Sequence, residues 1–340
     1  MNYFIFSNID FKIIIDWIMV GEREVMNTKP KGGTEILHEQ LVSQLSKEDL
    51  EGVNIIRSIC HPDLIEKDKI NILWQHLNID QPNAALMADR RFVDQIDYFI
   101  YVSHWQFNQF REKFRIPEYK SFVLKNATHH YDSFAKIPPG TDKIKIIYPT
   151  TPWRGLSVLL LAVDYLNKTR DDFEVHIYSS TEIYGKAFNE KEGDKYEGLF
   201  ARCKNTKNMI YHGYAPNEKV KEAVMESHIF AYPSIFEETS CLSAIEAMMA
   251  GCHVVTTNYG ALPETCAEFA TMIEFEPNLK ALAERFASAL DSVLTKYRAG
   301  GYKQDMHMQM DYYNNYYSWN TRINEWRNFL SYVKRNKEKS

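Results

Sequence analysis

No run of eighteen apolar residues occurs anywhere in the 340-residue chain, so no segment reads as a membrane-spanning helix. Paired cysteines are also missing. The five present (Cys60, Cys203, Cys241, Cys252 and Cys266) are scattered, and none forms a C-x-x-C pair. That pattern excludes a zinc ribbon or a disulfide framework and fits a reducing cytoplasm. Charge of one sign is not in excess: 40 Lys and Arg face 45 Asp and Glu, for a formal net charge of -5. Without a polycationic surface, a dedicated nucleic-acid binder is disfavoured. Internal repeats and low-complexity tracts are absent. The opening stretch from Met1 to Val20 is apolar but broken by Asp10, Lys12 and Asp16. With no basic region before it and no small-residue cleavage site after it, it reads as a core strand and not as a signal peptide.

What the chain does contain is enough apolar material for two cores, at 45% hydrophobic and 14% aromatic residues. Short β-rich runs alternate with longer helical periods, which is the pattern of α/β layering with parallel strands. The early strand candidates are residues 11–15, 53–59, 70–74, 98–102 and 122–124, with helical spacing over 34–45 and 105–114. Residues 137–142 (Ile-Pro-Pro-Gly-Thr-Asp) then break the pattern with a linker composition. The alternation restarts beyond it. Strands are expected at 144–148, 173–178, 209–211, 229–232 and 253–256, and helices at 156–166, 218–226 and 241–250. Two doubly wound units joined by a linker are favoured over one larger α/β domain with an irregular loop. Residues 1–140 would form the first, 141–317 the second, and a final amphipathic helix within 318–340 would return to the first. Its apolar stripe is Trp319, Ile323, Trp326, Phe329, Leu330 and Val333.

The most informative stretch runs from Tyr232 to Gly251. A strand ends at Pro233, a loop carries Glu237 and Glu238, and a helix begins near Ser240. Thr239 or Ser240 is the expected N-cap, and Gly251 the C-terminal stop. A helix N-terminus at the carboxyl end of a parallel strand suits a phosphate group. Glu238 sits just above that terminus and Glu246 two turns inside it, so two carboxylates bracket an anion site.

This segment resembles the E-x7-E motif of retaining glycosyltransferases of family 4, inside a P-S-x-x-E…E-A-M-x-x-G frame. The following His253–Glu264 stretch is similar to that family's strand, glycine turn and L-P-E. Lys31-Gly32-Gly33-Thr34-Glu35 resembles its N-terminal glycine loop. Tyr98–Ser103, then 110–116, resembles its strand-Ser-helix unit, and Val123-Leu124-Lys125-Asn126 the strand ending in Asn-Gly, with Ala127 replacing the glycine. Tyr148–Leu156 resembles the start of its second domain, where Arg154 matches the second of two cations. Thr150 or Thr151 stands where the first would be.

The resemblance implies the GT-B fold, with two Rossmann-like domains facing across a cleft and a C-terminal helix crossing back. It implies a metal-independent, retaining sugar transfer from a nucleotide-diphosphate sugar to a hydroxyl acceptor. The acceptor would be a saccharide, a lipid-linked sugar or a small metabolite. Glu238 would hold sugar hydroxyls and Glu246 the ribose. Arg154, Thr151, Gly33 and the amides of Ser240, Cys241 and Leu242 would face the diphosphate, while Gly213 and Tyr214 would line the base pocket. His76, after a strand end, is a candidate active-site histidine, although a structural histidine is the competing reading. His129 and His130 lack partners for a metal site. Cys241 reads as a bystander, and the tyrosines of 312–317 as packing. The D-x-D motif of metal-dependent transferases of the other common fold is absent, and no cofactor is expected. Arg335, Lys337 and Lys339 read as a frayed basic end with at most weak contact to an anionic lipid surface. A nucleotide-sugar epimerase of the same fold, or an inactive nucleotide-sugar-binding protein, would share these features.

Overall fold

The computed structural model describes residues 33–131, 142–182 and 194–337. The strand expected at 11–15, the pair Lys31-Gly32 and all but the last residue of the 137–142 linker lie outside the described residues.

In the first half, helix α1 (Gly33–Gln44) buries Leu37 and Leu41. A short α2 (Lys47–Leu50) follows, fixed by a reciprocal capping box between Ser46 and Asp49. Strands β1 (Val53–Arg57), β2 (Ile70–Gln75), β3 (Tyr98–Tyr101) and β4 (Ser121–Val123) lie side by side in chain order, all parallel. Every residue of β2 is buried, as a central strand covered on both faces requires. Strand β1 stops two residues short of the expected end because Ser58 adopts a left-handed φ of 55°, which turns the chain out of the sheet. Between the strands lie α3 (Arg90–Val93) and α4 (His104–Phe114). Helix α4 starts where Ser103 Oγ accepts the Gln106 amide at 3.0 Å.

The second half repeats the layering with more strands. They are β5 (Ile144–Tyr148), β6 (Phe173–Ile177), β7 (Met209–Tyr211), β8 (Ile229–Tyr232), β9 (His253–Thr257) and β10 (Thr271–Ile273). Their order across the sheet is β10-β9-β8-β5-β6-β7, all parallel. The chain starts in the middle, works outward to β7, returns to lay β8 beside β5, and works outward the other way. That reversal is the doubly wound arrangement, with a crevice beyond the carboxyl ends of β5 and β8. The connecting helices are α5 (Leu156–Leu166), α6 (Asp194–Asn205), α7 (Asn217–Glu226), α8 (Leu242–Met249), α9 (Leu262–Cys266) and α10 (Leu279–Arg298). Strand β10 and helices α6, α9 and α10 are additions to the elements legible in the sequence.

Two final helices tie the halves together. Helix α11 (Lys303–Tyr316) packs on the second half, where Gln309 Nε2 donates to the carbonyls of Met248 and Cys252. Helix α12 (Trp319–Lys337) then returns to the first half, burying Trp319, Ile323, Trp326, Phe329, Leu330 and Val333 in the core that contains Leu37, Ile72 and Trp74. Six such side chains contribute on the order of 10 kcal/mol of gross hydrophobic stabilisation, enough to hold the crossing in place. The outgoing and returning chains meet where Thr128 bridges Ser318 and its amide donates to the Tyr317 carbonyl at 2.9 Å.

Candidate functional site

Beyond β5 the chain runs through Thr150 and Thr151 into a single turn, Pro152–Arg154, and then to Gly155, which opens α5 with φ of 137°. A Cβ on Gly155 would lie 2.2 Å from the Pro233 carbonyl oxygen, so only glycine lets this turn press against the end of β8. The close approach delivers Arg154 to the loop that follows β8. Its guanidinium sits 4.2 Å from the Phe236 ring centroid, and Nη1 donates to Glu238 Oε1. Tyr232 Oη donates to the same carboxylate oxygen. Glu238 is only 4% exposed, and its main chain is pinned as well. It forms a parallel bridge with Gly260, and the Ala261 amide donates to its carbonyl at 2.6 Å. Two residues 84 positions apart therefore meet in the crevice because β5 and β8 are sheet neighbours.

Helix α8 begins at the same place. Its N-cap is Cys241, with no side-chain capping bond, where the sequence suggested Thr239 or Ser240. The reason lies across the cleft: Thr239 Oγ1 donates to the His76 carbonyl at 2.8 Å and is committed there. Ser240 is half-buried just ahead of the cap. Burial, then the nearby Glu238 carboxylate, pushes the Cys241 thiol far above its ordinary range, so it is no thiolate. The opening turn of α8 thus presents its amides and the positive end of the helix dipole without a side chain of its own over them. Facing it is the start of α1: a Cβ on Gly33 would lie 3.0 Å from Leu242 Cδ1. The first described residue of α1 and the opening turn of α8 thus meet across the two halves.

Glu246 is half-buried in the next turn of α8 and accepts from Thr128 Oγ1 at 3.0 Å. Burial raises its pKa, against the opposing effects of Thr128 and Lys221. Thr128 belongs to the segment that crosses between the halves, and nothing in its local sequence marks it. His76 follows β2, with Nδ1 3.1 Å from Ser58 Oγ and its ring 4.5 Å from that of Trp74. Burial lowers its pKa to about 3, so it is neutral near pH 7. Asn78 Nδ2 donates to Glu237 Oε2 at 2.9 Å, which turns Glu237 toward the first half and leaves Glu238 to the crevice.

At the ends of β5 and β6, Thr151 Oγ1 and Ser179 Oγ are buried without a hydrogen-bond partner among the described residues, in residues 8% and 2% exposed. Buried hydroxyls are seldom left unsatisfied, so these two point to a polar ligand at the strand ends. Ser179 went unremarked in the sequence; its only signal was its place just past a strand. Gly213 and Tyr214 follow β7, with Gly213 at φ of 71° and Tyr214 44% exposed. Beside them His212 stacks on Tyr178 at 4.2 Å. Gly213 and Tyr214 stand at the end of β7, two strands away from β5, which leads to Arg154, and three from β8, which leads to Glu238. Among the described residues, no group of three His, Cys, Asp or Glu side chains converges to suit a metal ion, and no helix is long and apolar enough to cross a membrane.

Residues 132–305, just over half of the chain, match the family described as glycosyl transferases group 1. The chain belongs to that family. Among relatives of this group 1 chain is an uncharacterized 41.2 kDa protein in the cps region of Klebsiella pneumoniae, 22% identical over 174 residues. That match takes in 45% of this chain and 48% of the relative, so the chain spans about half the length of the curated relative it matches. A glycosyltransferase from Rickettsia africae superimposes with a TM-score of 0.65 at 18% identity, covering 95% of this chain and 88% of the other. The pneumococcal O-GlcNAc transferase GtfA, solved with UDP and GlcNAc, gives 0.61 at 12% identity, covering 89% and 60%. A UDP-forming trehalose-phosphate synthase from Burkholderia xenovorans, solved with glucose-6-phosphate, gives 0.59 at 13%, covering 86% and 76%. At these identities the likeness is one of fold, and the fold is GT-B: two Rossmann-like units facing across a cleft, with the last helix crossing back.

Proposed function

We propose that this group 1 chain is a retaining glycosyltransferase of the family 4 type, moving a sugar from a nucleotide-diphosphate sugar to a hydroxyl acceptor without a metal. One observation carries the reading: Arg154 and Glu238 meet in the switch-point crevice, directly before the uncapped N-terminus of α8. A guanidinium and a ring of amides suit a diphosphate, and a buried carboxylate beside them suits sugar hydroxyls. In this arrangement Arg154, the amides of Ser240 to Leu242, Thr151 and the glycine at 33 receive the diphosphate. Charge develops there as the glycosidic bond breaks, so these donors act most strongly in the transition state. Glu246 takes the ribose hydroxyls, with Thr128 fixing its carboxylate. Gly213 and Tyr214 line the base pocket. His76, uncharged, offers a hydrogen bond to the donor sugar.

Retention fits front-face attack, in which the departing phosphate accepts the acceptor's proton and no protein nucleophile is needed. Residues 141–317 form the donor half. Residues 1–140, with the returning helix within 318–340, form the acceptor half. We place the protein in the cytoplasm and its reaction in glycan biosynthesis, which the relative from a cps region supports. The acceptor is then a saccharide or a lipid-linked sugar.

A thermal-shift panel of UDP, GDP, ADP and TDP sugars tests donor binding, since a ligand of the folded state raises its melting point. Glu238→Ala should abolish transfer and donor hydrolysis while nucleotide binding survives; unchanged turnover would remove Glu238 from the mechanism. A donor converted without any acceptor would select an epimerase, and one bound but never consumed would select a binding protein.

A further inference from the structure

Helix α9 carries a second acid, Glu264, whose carboxylate reaches out of its own half of the molecule. Its Oε2 accepts the Trp105 amide at 2.9 Å, and its Oε1 accepts the His104 amide at 2.9 Å with His104 Nδ1 at 2.8 Å. Lys125 Nζ closes on Oε1 from the end of β4. The three leading amides of α4 are therefore divided between two donor-half and acceptor-half groups: Ser103 Oγ takes the third, and Glu264 takes the first two. A helix whose capping is completed by the opposite half of the protein is a joint, not a surface contact.

The joint is buried and charged. The Lys125 side chain is 9% exposed and that of Glu264 24%. Burial alone would raise the Glu264 carboxyl, yet the Lys125 ammonium and the two amides outweigh it and hold its pKa at about 2. Removing one member of such a pair leaves the other desolvated and unmatched, unlike breaking an ion pair in water.

From Glu264 the backbone leads directly to Glu238. Helix α9 is one short turn, preceded by Ala261, whose amide holds the Glu238 carbonyl, and by Gly260, which bridges the same residue. Ala261 and Leu262 are fully buried, so little slack separates the two acids. On the far side of Glu238, Thr239 is fastened to the His76 carbonyl. Glu238 is thus tied on one flank to the acceptor half through Thr239, and on the other to the segment that leads into Glu264.

We propose that Glu264 is a positioning residue: by completing the cap of α4 it fixes the two halves in register and sets the place of Glu238 in the cleft. This rests on the role given to Glu238 above. The test uses the full chain with spin labels at Glu112→Cys on α4 and Ser288→Cys on α10, the five native cysteines being buried. Distance distributions are recorded with and without Glu264→Gln, a change that preserves size, and with Lys125→Met. Nucleoside diphosphate titration and steady-state kinetics run alongside. In Glu264→Gln the label distances should broaden, and kcat should fall roughly tenfold to a hundredfold, the range expected when reacting groups are displaced by a fraction of an ångström to 1 Å. Diphosphate affinity should stay within about twofold, because Arg154 and α8 lie in the donor half, and adding Lys125→Met should deepen the loss little. Unchanged distances overturn the joint, whatever happens to kcat. Broadened distances with unchanged kcat overturn the link to Glu238. Failure of the unsubstituted chain to bind any nucleotide would count against the donor-site reading, while the distance measurement still decides the joint.

Discussion

Replacing Gly260 with alanine separates support of the site from ordinary stability. A Cβ there would lie 2.5 Å from the carbonyl oxygen of Glu238, 2.6 Å from its nitrogen and 2.9 Å from the carbonyl carbon of Glu237. Heavy atoms rest comfortably at about 3.5 Å, so relieving the first overlap needs a shift of about 1 Å. The obstacle is backbone on every side, and that carbonyl already accepts the Ala261 amide, so no side-chain rotation relieves it. Displacement by about 1 Å costs on the order of a hundredfold in rate. The left-handed φ of 66° adds strain of about 1–2 kcal/mol for alanine. Gly52 supplies the control, with φ of 70° and nothing within 4 Å of its would-be Cβ. Gly52→Ala should show the strain alone, about 1 kcal/mol in a urea titration, with turnover intact. Gly260→Ala should lose more stability and nearly all of its kcat. Wild-type turnover in Gly260→Ala, or a stability loss no larger than that of Gly52→Ala, would show that the close approach of Gly260 does not hold Glu238 in place.

Tyr232→Phe removes a buried hydroxyl from Glu238 Oε1 and leaves Arg154 there, so unfolding should become easier by about 1.5–3 kcal/mol, with kcat reduced more than donor affinity. An equal effect on both parameters would assign Tyr232 to packing alone. Acid should destabilise the fold in a defined window. Burial holds His38 and His253 down to about 4 and His76 to about 3, against 6.5 for a free histidine, so each takes up a proton on unfolding as pH falls below 6.5. Near pH 5 each contributes a slope of about 1.4 kcal/mol per pH unit, and His38→Gln should remove one such contribution from urea titrations at pH 7, 6 and 5. A slope unaltered by that change would show that His38 titrates normally.

The architecture was legible because parallel strands and their helices leave periodic traces. Arg154 and Glu238 were each legible as residues just past a strand end, but their ion pair was not, because it depends on β5 and β8 being neighbours. Element ends shifted by a residue or two where one local event intervened, as at Ser58. The N-cap of α8 was misplaced because the hydroxyl of Thr239 serves an acceptor from the other half, and such competition has no local signature. Thr128 and Glu264 escaped for the same reason. Each acts through a side chain that meets a partner distant in sequence, and hydrophobic spacing is blind to that. In the tyrosine cluster the helical period did sort the residues: Tyr313 and Tyr317 are buried, while Tyr312 and Tyr316 stack on the exposed side at 5.3 Å.

On the proposed function, a diphosphate occupies the crevice between Arg154 and the start of α8. Calorimetric titration of the wild type and Arg154→Met with nucleoside diphosphates and the matching monophosphates tests it most directly. The wild type should prefer the diphosphate, and Arg154→Met should lose about 1.5–3 kcal/mol of that affinity, the worth of a charge-assisted hydrogen bond, while monophosphate binding is little altered. Equal affinity of both proteins for the diphosphate, or no nucleotide binding by either, would contradict it.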